Sequence, residues 1–293
     1  MAHEIVRFLV AHLVELFMLS VGLRTDPGTV IRAARERPWF YTRALLVLFV
    51  AVPVLTIVVT KVLALPPRMA SLFVIFAACP AAPLVAPRLI KKDDRAGVTA
   101  LTLVVVASFL APALVPIWLL IANPILGSAL DVTPVALLTV FLLKVLLPLT
   151  AGILARRASP RLADKAAPVF AAMGTAALLV AAVLLLKASF ETLNRLTVPA
   201  LIAMVLIVLG SAALGELVAG EAADDRNAVG TIAMTGSPVL ALAVIHASYP
   251  GLQNVSGIVG LFLILRAVAG VPYQLIVARR RRRSAARSTA AHA

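Results

Sequence analysis

Apolar runs of about twenty residues, enough to cross roughly 30 Å of hydrocarbon as a helix, recur along this chain from end to end. Within a bilayer the backbone must satisfy its own hydrogen bonds, which Leu/Val/Ala runs of this length do as helices. Charged residues make up 14% of the chain and mean hydropathy is +1.04, against about 25% charged residues in an ordinary soluble domain. The sequence therefore predicts an all-α polytopic membrane protein with no soluble domain.

Setting apolar runs against charged loops gives nine transmembrane segments, near 5–22, 42–64, 69–90, 96–121, 133–155, 166–187, 196–218, 227–248 and 254–278. The formal charge of +14 raises the question of a polyanionic partner. Its placement argues against nucleic acid. Twenty of the 27 basic residues fall in alternate loops and in the tail ARRRRRSAAR. That is the asymmetry of a topology signal, with basic loops held in the cytoplasm. It predicts the N-terminus outside and a basic cytoplasmic tail over 279–293, which could also touch anionic lipid headgroups. The single cysteine, Cys79, excludes an internal disulfide framework. MAHEIVRFLV has neither a basic n-region nor a clear cleavage site, so no cleaved signal peptide is expected.

Two of the nine segments are interrupted. The third contains FAACPAAPLVAPR, with Pro80, Pro83 and Pro87, and the eighth reads GTIAMTGSPVLALAVIHASYP. There Gly230, Gly236 and Pro238 stand among Thr231, Thr235 and Ser237. Each interior proline removes a helical hydrogen bond, and broken backbone at membrane depth is tolerated only inside protein or beside a wet cavity. Each break precedes one closing span, so the chain divides into a repeat of four spans (about 5–121) and one of five (about 133–278), inserted with opposite sense. Paired interruptions in two inverted halves point to a transporter binding site; the alternative is a bundle of proline-kinked helices.

Ionisable groups inside spans are costly and usually face a partner or a cavity. Arg266, Lys144 and Glu15 are such groups. A helix–helix ion pair is the expected role for Lys144 and Glu15. His12, three residues before Glu15, could relay protons or be simply hydrated, and the same holds for His246. No HExxH, GxSxG or Walker pattern occurs, and no enzyme or cofactor is expected. Asp93–Asp94 and Asp224–Asp225, each beside arginine, are expected as solvated helix-end or gate salt bridges, with no metal site.

ACPAAPLVAPRLIKKDDRAGVTALTLVVVASFLAPALVP resembles the CPGG-TASN segment and following helix of the bile acid:sodium symporter family. LLPLTAGILARRASPRLAD is similar to that family's opening helix of the second repeat, and DDRNAVGTIAMTGSPVLALAVI to its second crossing helix, usually R…EVGMQNSGLALA. MLSVGLRTDPGTVIRAARERP matches the helix end before the first panel loop. The resemblance runs in order through nearly the whole chain. It implies ten helices, or nine where the first is absent, in an inverted-repeat fold with panel and core domains and two discontinuous helices crossing in the core. It further implies substrate between panel and core, sodium beside the crossover, and small organic anions as cargo; related carriers export arsenite.

Departures from the motifs alter that expectation. The family's sodium-ligating Ser and Asn fall on Val85 and Ala86. The carboxylate shared by its sodium sites falls on Thr231 and the Gln on Thr235, leaving only Thr99 or Thr102 in the following helix. Apolar side chains cannot ligate sodium, so no family-type sodium site is expected; protons, exchange or facilitated diffusion remain for coupling. Arg266 either substitutes a fixed positive charge for the missing ion and attracts an anionic substrate, or pairs structurally with Glu15 or snorkels. Cys79 is expected to pack, although arsenite carriers use a thiolate in the equivalent helix. The combined expectation is a bacterial inner-membrane secondary carrier of a small organic anion, its substrate site drawn from Thr99, Thr231, Thr235, Ser237 and Arg266. An arsenite-type efflux carrier and a non-transporting sensor or scaffold are the alternatives.

Overall fold

Proline, which breaks helices internally, starts them here. Its missing N–H and fixed φ suit a first helical turn, and five helical stretches begin on one: Pro27, Pro38, Pro67, Pro134 and Pro160. A computed structural model describes residues 12–79, 95–127, 134–193, 196–220 and 222–236, and then 240–241, 257–262, 264–265, 268, 272–273 and 275. Every regular element among the described residues is helical.

Helix α1 spans Leu13–Arg24 and is followed by a short helix, α2, over Pro27–Glu36. Asp26 caps α2 by accepting hydrogen bonds from the Thr29 N–H (2.9 Å) and hydroxyl (2.7 Å). Helix α3 covers Pro38–Val62, α4 Pro67–Ala78 and α5 Arg95–Leu126. Helix α6 runs continuously through Pro134–Phe141, Leu142–Leu146 and Leu147–Ala158. Helices α7 (Pro160–Leu193), α8 (Val198–Val218) and α9 (Ala223–Thr235) complete the set. Five described helices are long and apolar enough to cross a membrane: α3, α5, α6, α7 and α8. The loop expected after the first span contains an unforeseen helix, α2, and the fourth and sixth spans extend further than expected, to Leu126 and across Pro160–Leu193.

Packing divides the helices into two groups. Helix α1 lies between α6 and α7, which also touch each other. Helices α3, α4, α5, α8 and α9 form the second group, with α4 against α3 and α5, and α9 against α5 and α8. The groups meet along α5 and α6. Hydrocarbon supplies no hydrophobic drive for helix association, so close backbone approach through small residues does much of the work. A Cβ on Gly22 of α1 would lie 2.9 Å from the Gly152 Cα of α6 and closer still to the Leu149 carbonyl. One on Gly215 of α8 would lie 2.8 Å from the Gly230 Cα of α9. Helix α8 shows the other side of the arrangement: Ala203, Ile207 and Ser211 face inward while Ile202, Leu206 and Leu209 face out, an apolar surface all round as a membrane helix requires.

Two π-helical turns interrupt long helices, Val47–Ala51 in α3 and Leu142–Leu146 in α6. Each ends two residues before a proline, Pro53 or Pro148. A proline at i gives no N–H to the carbonyl at i−4, which releases Phe49 and Lys144, each inside its π turn. The Trp118 indole N–H of α5 donates to the Phe49 carbonyl.

Candidate functional site

Helices α4 and α9 are too short to cross. At 1.5 Å per residue, 12 and 13 residues reach only about 18 and 20 Å. Both are buried: nine of the twelve residues of α4 lie inside, and its Phe76 stacks on Phe262 with ring centroids 5.0 Å apart. Helix α4 stops where Cys79 turns extended (φ −73°, ψ 118°). Helix α9 stops at Gly236, whose φ of 40° is a left-handed value open to glycine and strained for other residues. Both helices pack against α5. Their ends leave carbonyls that the helix itself cannot satisfy. Cys79 is fully buried among apolar side chains, in the packing position expected for it.

At the other end of α9 lies a polar cluster. The Asp225 side chain is wholly buried, and Arg37, at the elbow between α2 and α3, grips it with both guanidinium arms at 3.0 and 2.7 Å. The Thr99 hydroxyl of α5 adds a longer bond of 3.3 Å to the same carboxylate. Buried Tyr41 adjoins Thr99 and Thr102, and the Arg37 guanidinium also lies 4.2 Å from the centroid of the Phe40 ring. Hydrogen bonding to Asp225 holds the Arg37 pKa above its ordinary value. Two-pronged Arg–carboxylate contact is the strong, orientation-specific form of ion pair. Asp225 also sits in the first turn of α9, where the helix dipole favours an anion. The helix-end or gate salt bridge expected at Asp224–Asp225 is present at Asp225, but it is buried rather than solvated, a tie joining the α2–α3 elbow, α5 and the start of a half-length helix. Nearby on α9, buried Asn227 leaves its amide nitrogen without a partner among the described residues.

Of the substrate residues expected from sequence, Thr99 is buried and engaged with Asp225. Thr231 is buried on α9, six residues beyond Asp225 and so about 9 Å along the helix. Thr235 is the last residue of α9 and Gly236 its left-handed terminus. Pro80, Pro83, Pro87, Ser237, Pro238 and Arg266 lie outside the described residues. Sequence reasoning singled out neither Arg37 nor Asn227. A carboxylate at a helix start and an arginine just before another were the available signals, but nothing in one dimension joins them.

A second polar group lies between α1 and α6. Lys144 donates to Glu15 at 2.7 Å, and His12 Nδ1 lies 3.3 Å from the same carboxylate oxygen. This is the expected helix–helix pair. Lys144 stands in the π turn of α6, so the irregularity created ahead of Pro148 carries the paired cation.

A chain whose described elements are all helical, with five long apolar helices, shorter buried ones and charges paired inside the bundle, is a polytopic membrane protein. The model of the Sodium Bile acid symporter family matches residues 11–196, and the chain belongs to that family, whose members are secondary membrane transporters. No curated protein matches the chain.

Proposed function

We propose that the protein is a secondary carrier of a small organic anion or related metabolite that works by alternating access and draws on no sodium site of the family's usual kind. The observation that carries this reading is the pair of half-length buried helices, α4 and α9, both packed against α5. A static bundle gains nothing from ending helices inside itself, whereas half-helix ends are the usual material of a transporter binding site. The three-helix group α1, α6 and α7 corresponds to a panel, and the group around α5 to a core, with substrate between them. Nine spans, an external N-terminus and a bacterial inner-membrane location complete the reading.

Family membership favours transport, but the chemistry around α9 argues against sodium. Asp225, a buried carboxylate at the start of α9, is already neutralised by Arg37. Thr231 and Thr235 stand where the family motif has its sodium-ligating carboxylate and Gln. Thr99, Thr231, Thr235 and Ser237 supply hydroxyls to the substrate, and Arg266 supplies the fixed positive charge. Exchange, proton coupling or facilitated diffusion drives the cycle, and no resident cofactor takes part.

Uptake by proteoliposomes of a panel of radiolabelled organic anions, with and without a sodium gradient, tests the proposal. Uptake of at least one anion, indifferent to sodium and lost in Arg266→Ala, is expected. Strict sodium dependence overturns the coupling reading, wild-type uptake by Arg266→Ala overturns the surrogate charge, and no uptake under any gradient overturns transport.

A further inference from the structure

The end of α6 and the starts of α2 and α7 surround a cavity of about 430 Å³ lined by Asp26, Pro27, Gly28, Arg156, Arg157 and Pro160. It continues past Gly28 into a groove along α2 that carries Arg32, Arg35 and Glu36. We propose that this continuous surface binds the headgroup of an anionic phospholipid.

Charge is the first argument. Four arginines face two carboxylates, and one carboxylate, Asp26, is already committed to capping α2 through Thr29. Arg156 is fixed in place, donating to the Leu23 carbonyl at 3.1 Å and to Asp164 at 2.8 Å. Arg157, Arg32 and Arg35 are exposed and have no carboxylate partner among the described residues.

Amphipathic layout is the second argument, and it selects a lipid over a free anion. Leu154 lies three residues before Arg157, hence on the same face of α6 and one turn deeper, and it is 64% exposed. Leu162, at the start of α7, is 66% exposed. Leu154 thus gives an acyl chain an apolar side chain one turn beneath Arg157, with exposed Leu162 on the neighbouring helix. Ile31 of α2 and Trp39 at the start of α3 are exposed, and the Arg43 guanidinium lies 5.1 Å from the centroid of the Trp39 ring. Exposed Trp beside Arg is the composition of the headgroup layer. A soluble phosphate would use the arginines and ignore these apolar side chains.

The test uses the full chain purified in detergent, with native mass spectrometry counting bound lipid during titration by phosphatidylglycerol, phosphatidylcholine or inorganic phosphate. Phosphatidylglycerol is expected to bind in preference to phosphatidylcholine and to resist displacement by phosphate. Combining Arg32→Gln, Arg35→Gln and Arg157→Gln should weaken phosphatidylglycerol binding at least about tenfold, given the usual contribution of each basic residue near an anionic headgroup. Lysine at the same three positions should restore most of the binding and show that charge, not folding, is responsible. Unchanged binding in the glutamine variant would assign the lipid to another surface such as the basic tail. Equal binding of phosphatidylcholine, or full displacement by phosphate, would equally overturn the proposal.

Discussion

Arg37 and Asp225 stand 188 residues apart in sequence and meet as a two-pronged ion pair, with the Asp225 side chain fully buried and the Arg37 side chain about two-thirds covered. The pair fastens the start of the half-length helix α9 to the elbow where α2 turns into α3. Breaking one partner of a buried pair leaves a charge without compensation, at a typical cost of about 3–5 kcal/mol.

Arg37→Ala and Asp225→Ala should each destabilise the protein by about 3 kcal/mol in detergent, while the double variant should lose clearly less than the sum. Denaturant unfolding of the four proteins of the cycle provides the measurement. Additive losses would show that the two side chains act independently.

Gly152→Val should destabilise the contact of α6 with α1 by about 1–3 kcal/mol, the usual range for overpacking. A Cβ at Gly152 would lie 2.6 Å from the Leu19 carbonyl and 2.8 Å from the Leu23 nitrogen, both backbone atoms that cannot rotate away. A thermal midpoint equal to wild type would mean that the helices separate freely there.

Trp118→Phe should cost about 1–3 kcal/mol by leaving the buried Phe49 carbonyl without its indole donor. Introducing Pro53→Ala into that variant supplies a backbone N–H to the same carbonyl and should recover part of the loss. If Pro53→Ala brings no recovery, the carbonyl was not what Trp118 satisfied.

Asp26→Ala should remove the cap of α2, worth about 1 kcal/mol for a helix N-cap. The Thr29 hydroxyl, followed by its N–H, holds the Asp26 pKa below its ordinary value. A lowered folded-state pKa means that the stabilisation is complete above the ordinary carboxylate pKa of about 4. It is lost as pH falls through the folded value. The stability gap between wild type and Asp26→Ala should therefore be flat near neutrality and shrink in acid. A gap that stays constant into strong acid would contradict the assignment.

Gly236→Ala should destabilise the end of α9 by about 1–3 kcal/mol, because φ of 40° strains any residue with a Cβ. Equal stability by thermal unfolding would show that the terminus relaxes to an ordinary conformation.

How much of this was legible in the sequence varies from residue to residue. The apolar runs located the long helices, because hydrocarbon thickness sets a minimum length for a spanning helix, but not their full extent: α5 and α7 run on past the hydrophobic stretch, to Leu126 and across Pro160–Leu193. The third span was expected to break at Pro80, Pro83 and Pro87, which lie outside the described residues; α4 ends just before them, at Ala78. The Glu15–Lys144 pair was legible because two opposite charges placed at membrane depth have few other partners to choose. Helix α2 was hidden by its charge, since PGTVIRAARE looks like a loop until Val30, Ala33 and Ala34 are seen to share one face.

Composition and run length, set by the low dielectric of the bilayer, determined by themselves that this chain is a helical membrane protein. Ordered motifs along nearly its whole length indicated the family. Only the tertiary structure decided that Asp225 is buried rather than solvated, that Arg37 is its counter-ion, and that Trp118 serves the carbonyl Pro53 releases. Each of those depends on which helices touch, and a carboxylate or carbonyl carries the same letter in the sequence whether it meets water or a partner from a distant helix.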